Sequence, residues 1–416
     1  MLTYLILTTR AILMEAVILG VLTGYTRITA GKGQRRVVWL FAAAGTLFSI
    51  AIAVLRNTTS MIDTAILNGW IYLIGLFAFV LFLIFTIKKP AGRGLAGMIP
   101  WLFAGVLYVV MIAYAMPDVW AYPYHVLQKE STIISTDFLM AMIGMLFGLI
   151  LAVVSFLAAE HLTMSLPYAA ASALVKLELL IHAAVRLSGL FSVLFQKKIV
   201  KSNHTMFTYT VFVKNHRDWF LYLACALVAA AALGLWAASL RQKEPYSNPA
   251  QHRKIRARWR GIRRWAATAL VCTVLAVLNL TVLEKANATD VTLSPIEEVT
   301  SVDDENVCVD FSLVEDGHLH RFAYESENGV QIRFIIIKKP NSSAYGIGLD
   351  ACDVCGETGY YEKDGQVVCN LCDVVMNIST IGFKGGCNPI VIPYEIHNGQ
   401  IFVPIEGLLE YEREFK

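Results

Sequence analysis

Long apolar runs recur along the first two thirds of the chain. A bilayer core of roughly 30 Å needs about 20 apolar residues in a helix. Helix is the expected conformation, because backbone groups that face lipid must bond within their own segment. Seven runs clearly reach this length: 2–24, 37–55, 63–87, 95–116, 137–160, 218–240 and 265–283. An eighth, weaker candidate is the run 166–195, which carries Lys176, Glu178, His182 and Arg186.

From residue 306 the pattern changes to the alternation typical of β-strands. Apolar and polar residues alternate from Val307 to Leu313, and Asn328-Gly329 is a hairpin signal. The sequence therefore predicts an α-helical polytopic membrane region of seven or eight transmembrane helices, followed by a small β-rich metal-binding domain. The predicted parts are a transmembrane helical domain (1–283), a linker (284–305) and an extracytoplasmic Cys-rich β domain (306–416).

Composition narrows the class of protein. The chain is 56% hydrophobic and 16% charged, whereas a soluble domain has about 25% charged residues. This excludes a soluble enzyme, a disordered chain and a nucleic-acid binder. The net charge of +3 combines two unlike regions: residues 1–283 carry 26 Lys and Arg against 9 Asp and Glu, and residues 284–416 carry 9 against 23. The split indicates two regions that meet different surroundings.

The basic loops predict the orientation, because positively charged loops stay in the cytoplasm. Loops 25–36, 88–94 and 241–264 are the basic ones, and the last has nine cations against one glutamate. If all three are cytoplasmic, the run 166–195 must cross the membrane as an eighth span. The C-terminal domain then lies outside the cytoplasm. Five cations in loop 196–217 oppose this assignment, and the nine in loop 241–264 outweigh them.

Ionisable residues within the spans are costly and usually mark a pathway or an internal pair. The candidates for an intramembrane pathway of protons or cations are Arg10, Glu15, Glu160, His161, Glu178 and His182. Glu178, His182 and Arg186 follow one another at four-residue intervals and form one polar stripe. Two other interpretations stay open. Glu160 and His161 can lie at the membrane interface, and the stripe can belong to an amphipathic surface helix.

Two Cys-x-x-Cys pairs are the strongest chemical signal. Cys352 and Cys355 form the first pair, Cys369 and Cys372 form the second, and thirteen residues lie between the pairs. Such a turn places two thiolates on one metal, and its N–H groups can bond to the sulfurs. Four thiolates suit tetrahedral zinc or iron, or an iron–sulfur cluster. Cys387 follows after fourteen intervening residues and is predicted to be a fifth or alternate ligand, or a redox-active thiol.

Three alternatives to a redox centre stay open at these cysteines. They are a structural Cys₄ zinc site, disulfides in an oxidising compartment, and a merely buried thiol at Cys387. Asp350 and His320 are the auxiliary candidates, since Asp350 precedes Cys352 by two residues and His320 shares one strand face with His318. The chain has no evident catalytic triad, phosphate loop or nucleotide motif, so we do not expect an independent enzyme activity.

Around these cysteines the sequence resembles the FtrD-like membrane iron–sulfur family. The resemblance spans about 100 residues and is strongest over 318–393. It runs through the strand around His320, Leu349–Gly356, Gly359–Tyr361, Val368–Cys372, Asn377-Ile378 and Thr380–Ile390. One departure concerns the local turn: the family's Cys-Asn-Pro-Ile-Pro ending reads Cys387-Asn388-Pro389-Ile390-Val391-Ile392-Pro393 here.

The resemblance implies a multi-pass protein of the bacterial cytoplasmic (inner) membrane that works in ferrous-iron uptake. It implies an iron–sulfur cluster or iron on the cysteines, with zinc as the alternative. The implied partners are an iron permease, a periplasmic cupredoxin-like protein and a small iron-binding protein, and the implied task is to take electrons released when Fe²⁺ is oxidised. Two other functions stay open: capture or transport of soft copper or zinc, and docking through a structural zinc ribbon.

Overall fold

In the computed structural model, helices fill the N-terminal part of the chain and strands the C-terminal part. The chain divides into two units, Met1–Asn287 and Ala288–Lys416. The structure describes residues 1–59, 63–87, 97–129, 135–197, 199–200, 204–241, 244–287, 295–303, 305–339, 344–353, 355–363, 365–371, 374–382 and 388–415.

The first unit is a helical bundle. Its helices are α1 (Leu2–Thr29), α2 (Lys32–Thr58), α3 (Thr64–Phe85), α4 (Ile99–Lys129), α5 (Thr136–Ser165), α6 (Tyr168–Gln196), α7 (His204–Asn215), α8 (Arg217–Arg241) and α9 (Pro249–Leu278). A π-helical turn (Asn279–Leu283) and the short α10 (Glu284–Asn287) continue α9. Within the described residues, eight helices are long and apolar enough to cross a bilayer. The predicted polytopic region is therefore confirmed, and the weaker run at 166–195 is one of the eight, as α6.

Two segments predicted as loops are partly helical. The segment 196–217 contains α7, and residues 249–264 of the basic segment 241–264 form the first turns of α9. Asn248 caps α9, because its side-chain oxygen accepts a hydrogen bond from the N–H of Gln251 at 2.7 Å. Arginine and lysine favour helix, and proline suits its first position. The seven cations from Arg253 to Arg264 therefore lie on a helix.

Helix α1 lies at the centre of the bundle and is its most buried span. It packs most extensively on α5. A Cβ atom at Gly20 or Gly24 would overlap backbone carbonyl oxygens of α5, so small residues allow this close approach. The outer helices expose many large apolar side chains, which suits contact with lipid; examples are Leu40, Leu47, Trp70, Phe77, Leu146 and Phe147.

The second unit is β-rich, as predicted. Its strands are β1 (Ile296–Glu297), β2 (Ser301–Val302), β3 (Asn306–Asp310), β4 (His320–Glu325), β5 (Gln331–Lys338), β6 (Tyr345–Leu349), β7 (Tyr360–Lys363), β8 (Gln366–Cys369), β9 (Val375–Met376), β10 (Glu395–His397) and β11 (Gln400–Pro404). Short helical segments are α11 (Phe311–Val314), a 3₁₀ turn (Ile378–Thr380), α12 (Ile405–Leu409) and a 3₁₀ turn (Glu412–Phe415).

Two boundaries differ from the expectations drawn from the sequence. The alternation that starts at Val307 forms a strand only as far as Asp310, because Phe311–Val314 coils into α11. The segment 284–305, predicted as a linker, contains α10 and the two-residue strands β1 and β2. Strand β1 pairs in parallel with β4, and β2 pairs with β3.

The strands form three sheets with the orders β1-β4-β5-β6, β10-β11-β3-β2 and β7-β8-β9. Strand β5 is buried on both faces. Phe334 and Ile336 join one core with β3 and β11, whereas Ile335 and Ile337 join a second core. This second core includes Cys352, Tyr360, Val367 and Cys369. Cys352 and Cys369 therefore sit where the first sheet packs on the third.

Candidate metal centre

The first two cysteines lie in a tight turn directly after β6. The N–H of Cys352 donates to the carbonyl oxygen of Gly356 at 3.2 Å, and the Gly356 N–H donates to the carbonyl oxygen of Cys352 at 2.9 Å. Within this turn the N–H of Cys355 donates to Sγ of Cys352 at 3.1 Å. Gly356 has φ = 68°, a conformation that glycine adopts at no steric cost. We call this turn, from Cys352 to Gly356, the knuckle. It is the turn that the Cys-x-x-Cys-Gly spacing predicts.

The β7–β8 hairpin brings the third cysteine to this knuckle. Tyr360 on β7 pairs with Cys369 on β8. Next to this pair, the N–H of Asn370 donates to the Gly359 carbonyl at 3.0 Å. The Asn370 side chain donates to the Thr358 carbonyl at 3.1 Å. These two bonds hold the end of β8 against Thr358 and Gly359, which follow the knuckle along the chain.

Three sulfurs converge at this point. The Sγ atoms of Cys352, Cys355 and Cys369 all lie within 4.8 Å of one another. Two thiolates bound to one tetrahedral zinc, at about 2.3 Å each, are separated by about 3.8 Å, so the donor set fits a thiolate-bound metal. Cys352 and Cys369 are buried and Cys355 is half-buried. Cys372 and Cys387, the other predicted ligands, lie outside the described residues.

Asp350 is fully buried and ties the knuckle to the hairpin. Its carboxylate accepts hydrogen bonds from Arg321 Nε at 3.0 Å and Nη2 at 2.5 Å, and from the Tyr360 N–H at 2.8 Å. Burial raises the pKa of the Asp350 carboxyl, whereas Arg321 acts in the opposite direction. Gly359 has φ = 80°, and a Cβ there would meet the Asp350 oxygens. Asp350 therefore positions the segment between Cys352 and Cys369.

Arg321 is a residue that the sequence analysis did not single out. It lies on β4 with 5% of its surface exposed, and its guanidinium donates hydrogen bonds to the Asp350 carboxylate. Arg333 on β5 approaches the same carboxylate, with its Nε 3.5 Å from Oδ2. An arginine inside the apolar alternation of a predicted strand is the signal that could have marked Arg321, because a buried charge needs a partner.

His320 lies on β4, and carboxylates bond both of its ring nitrogens. Nδ1 is 2.9 Å from Glu297 on β1, and Nε2 is 2.8 Å from Asp316. Burial by itself lowers the pKa of His320, but the two carboxylates outweigh it and raise the pKa above its ordinary value. His318 is exposed and bonds Glu362 at 2.9 Å. The convergent metal-ligating group found within the described residues contains cysteines and neither histidine.

The predicted intramembrane residues meet partners at three separate places along α1. Near its start, Arg10 pairs with Asp218 at 2.9 Å and with Glu284 at 2.6 Å. In its middle, Glu15 pairs with Arg186. Near its end, Arg27 pairs with Glu160 at 2.5 Å. The structure thus distributes these charges over three ion-pair groups.

The remaining candidates lie beside these groups. Nδ1 of His182 is 3.9 Å from the carboxylate of Glu15. Glu178 is fully buried, and neither of its carboxylate oxygens has a hydrogen-bond partner within the described residues. His161 stacks on Trp265, with ring centroids 4.2 Å apart. Conduction of protons or cations through these residues stays a prediction.

Residues 314–415 match a family model described as the membrane iron-sulfur containing protein FtrD-like family. The C-terminal segment is FtrD-like. This match confirms the resemblance that the cysteine motifs predicted, and it covers about a quarter of the chain. The helical unit lies outside the matched segment. No curated protein and no solved structure shows a significant match to the chain.

Replacement of Asp350 by asparagine tests its positioning role. We expect Asp350→Asn to lower the local opening free energy of β7 and β8 by about 3 kcal/mol, because it leaves Arg321 buried without its charge partner. Hydrogen–deuterium exchange of the full-length protein measures this opening. Asp303→Asn is the control, since Asp303 caps exposed N–H groups at 2.5 and 2.9 Å and asparagine caps equally well. Equal protection in the two variants would contradict the role of Asp350.

The pair of carboxylates around His320 predicts a pH dependence. The folded pKa of His320 lies above its unfolded value. Its contribution to stability is therefore complete below about pH 6.5 and is lost as the pH rises through the folded pKa. We expect the protection of β1 and β4 against exchange, corrected for intrinsic rates, to fall over this range. His320→Gln should flatten the profile, whereas His397→Gln, which removes an exposed pair with Glu395, should not. Identical profiles in all three proteins would refute the prediction.

Proposed function

We propose that this protein is a membrane-anchored electron-transfer component of a bacterial iron-uptake system. In this proposal, its FtrD-like segment holds an iron–sulfur or iron centre outside the cytoplasm. The observation that carries the proposal is the convergence of three sulfurs within 4.8 Å, in a segment that matches a membrane iron–sulfur family. The eight apolar helices indicate a multi-pass membrane protein.

The chain's own residues suit this task. A bound iron centre would supply a one-electron couple at the thiolates. The N–H of Cys355, aimed at Sγ of Cys352, stabilises negative charge on that sulfur; hydrogen bonds to sulfur and burial are two of the means by which proteins set reduction potentials. Cys352 and Cys369 are buried, whereas the half-buried Cys355 offers an edge to a redox partner.

The sulfur positions also bear on the kind of centre. In a cluster, cysteines bound to different irons are spread around several metal atoms, whereas ligands of a single ion converge. The close approach of Cys352, Cys355 and Cys369 therefore favours one thiolate-bound ion. In the proposal Cys372 is the fourth ligand, and Cys387 is an alternate ligand or a redox-active thiol.

A structural zinc ribbon that docks a partner is the second candidate. The same convergence of sulfurs supports it, because three or four thiolates around one ion also suit tetrahedral zinc. Zinc has no redox couple, so the two functions differ in a property that can be measured directly.

Metal content decides between these functions. We expect the full-length protein, purified without oxygen, to contain iron at about one or more atoms per chain and to show visible absorption that dithionite bleaches and ferricyanide restores. Acid-labile sulfide in proportion to iron indicates a cluster, and its absence indicates a single iron. Colourless protein with one zinc per chain would refute the electron-transfer proposal, and so would tight Cu(I) uptake without iron.

Matched cysteine variants localise the metal. We expect Cys369→Ser to remove most of the bound iron. Cys308→Ser should retain it, because Cys308 is equally buried in the same unit but lies on β3, away from the three sulfurs. Loss of iron in both variants, or in neither, would place the metal elsewhere.

The orientation and partners are further parts of the proposal. The basic segments 25–36, 88–94 and 241–264 support a cytoplasmic position for those loops. The net charge of −14 over residues 284–416 favours cations such as Fe²⁺, or a basic redox partner. An iron permease, a periplasmic cupredoxin-like protein and a small iron-binding protein are the proposed partners. The bundle is proposed to anchor the segment.

A fusion reporter tests this orientation. Alkaline phosphatase folds to its active form only outside the cytoplasm, because it needs disulfides. We expect a fusion after Lys416 to be active and a fusion within the basic segment, after Tyr246, to be inactive, with both fusions expressed at similar levels. The reverse pattern would overturn the proposed orientation and leave the metal assignment unaffected.

A further inference from the structure

A cavity of about 600 Å³ with a mixed polar and apolar lining lies within the helical unit. Side chains from α3, α4, α6, α7 and α8 line it. Consecutive spans cross in opposite directions, so the end of α6 and the starts of α3 and α8 lie at one face of the bundle. The contact of Arg10 near the start of α1 with Asp218 on α8 and Glu284 on α10 places both ends of this unit at the same face.

The lining of this cavity is strongly cationic. Among the described residues that line it, four are basic and one, Asp63, is acidic; the basic ones are Arg186, Lys197, Lys214 and Arg217. Asp63 pairs with Lys197, and Arg186 pairs with the buried Glu15. Lys214 and Arg217 are exposed and form no ion pair within the described part of the chain. The cavity therefore carries two uncompensated positive charges.

Arg186 supplies the second, independent observation. It is 2% exposed, and its guanidinium lies 3.5 Å from the ring centroid of Tyr114. Its Nε is buried and has no hydrogen-bond partner in the described residues. Arg186 therefore contributes a buried guanidinium, not fully satisfied by hydrogen bonds within the described residues, to the lining of the cavity. The hydroxyl groups of Ser188 and Ser192 also line the cavity.

The arrangement suits a tetrahedral oxyanion. Arginine presents a planar fork of donors that matches phosphate, and lysine binds phosphate as a point charge. Basic pockets between membrane helices bind phospholipid head groups. The cavity's volume of about 600 Å³ falls in the range of about 300–1,000 Å³ typical of sites for small organic ligands, which is larger than a bare phosphate needs. Its size therefore fits a phosphate that carries an organic substituent.

We propose that this cavity binds a phosphate group, carried either by an anionic phospholipid or by a soluble phosphate ester. Lys214 and Arg217 attract the group, and Arg186 lies at the buried end. The proposal is independent of the metal in the FtrD-like segment.

Two probes distinguish the sources with the full-length protein in neutral detergent. Native mass spectrometry after addition of phosphatidylglycerol or phosphatidylcholine measures retained lipid, and equilibrium dialysis with radiolabelled glycerol 3-phosphate measures the soluble ester. We expect saturable binding of one probe. Preferential retention of phosphatidylglycerol identifies a lipid, and saturable binding of glycerol 3-phosphate identifies a soluble ester.

Variants at the exposed cations give the decisive comparison. We expect the double variant Lys214→Gln, Arg217→Gln to weaken binding at least tenfold. The matched control is Lys285→Gln, which removes an exposed positive charge from α10 at the same face and does not line the cavity. Lack of saturable binding of both probes, or equal binding by the double variant and the control, would overturn the proposal.

Discussion

The pairing of Asp350 with Arg321 is the interaction on which the thiolate site depends. Asp350 directly follows β6, and Cys352 follows two residues later, so a shift of this carboxylate moves the knuckle. The same carboxylate accepts the first N–H of β7, and β7 pairs with the strand that ends at Cys369. One buried ion pair thereby fixes two ligand-bearing segments that are far apart along the chain. Its removal leaves a charge in the core, which is costly.

The buried charges of the helical unit also need partners, although this unit is built to lie in lipid. A charge in an apolar bundle must find a partner, and α1 carries three such charges at its start, middle and end. Arg10 reaches acidic residues on α8 and α10, Glu15 reaches α6, and Arg27 reaches α5. The central position of α1 follows from these requirements together with the glycines that admit α5. Arg10, Glu15 and Arg27 therefore have a structural role whatever else they do.

Local sequence patterns predicted the secondary-structure elements well, but they did not predict which distant residues pair with one another. Runs of apolar residues determined the spans, and the Cys-x-x-Cys-Gly spacing predicted the knuckle, since both depend on neighbouring residues. Asp350 stood out by its place beside Cys352, but nothing local connects it with Arg321, 29 residues away. Glu15 and Arg186 are 171 residues apart. Such partners are chosen by the packing of whole elements, which single-sequence periodicity does not encode.

The cationic cavity also bears on the orientation of the bundle. The five cations of segment 196–217 are the main objection to placing that segment outside the cytoplasm. The positive-inside rule counts lysine and arginine near the ends of the spans and gives acidic residues little weight. Lys197 pairs with Asp63, and Lys214 and Arg217 line the cavity, but all five cations still count. Among the described cations of segment 241–264, Arg258 pairs with Glu244. Nine cations in that segment against five in segment 196–217 support the proposed cytoplasmic start of α9, and with it the proposed extracytoplasmic position of the thiolate site.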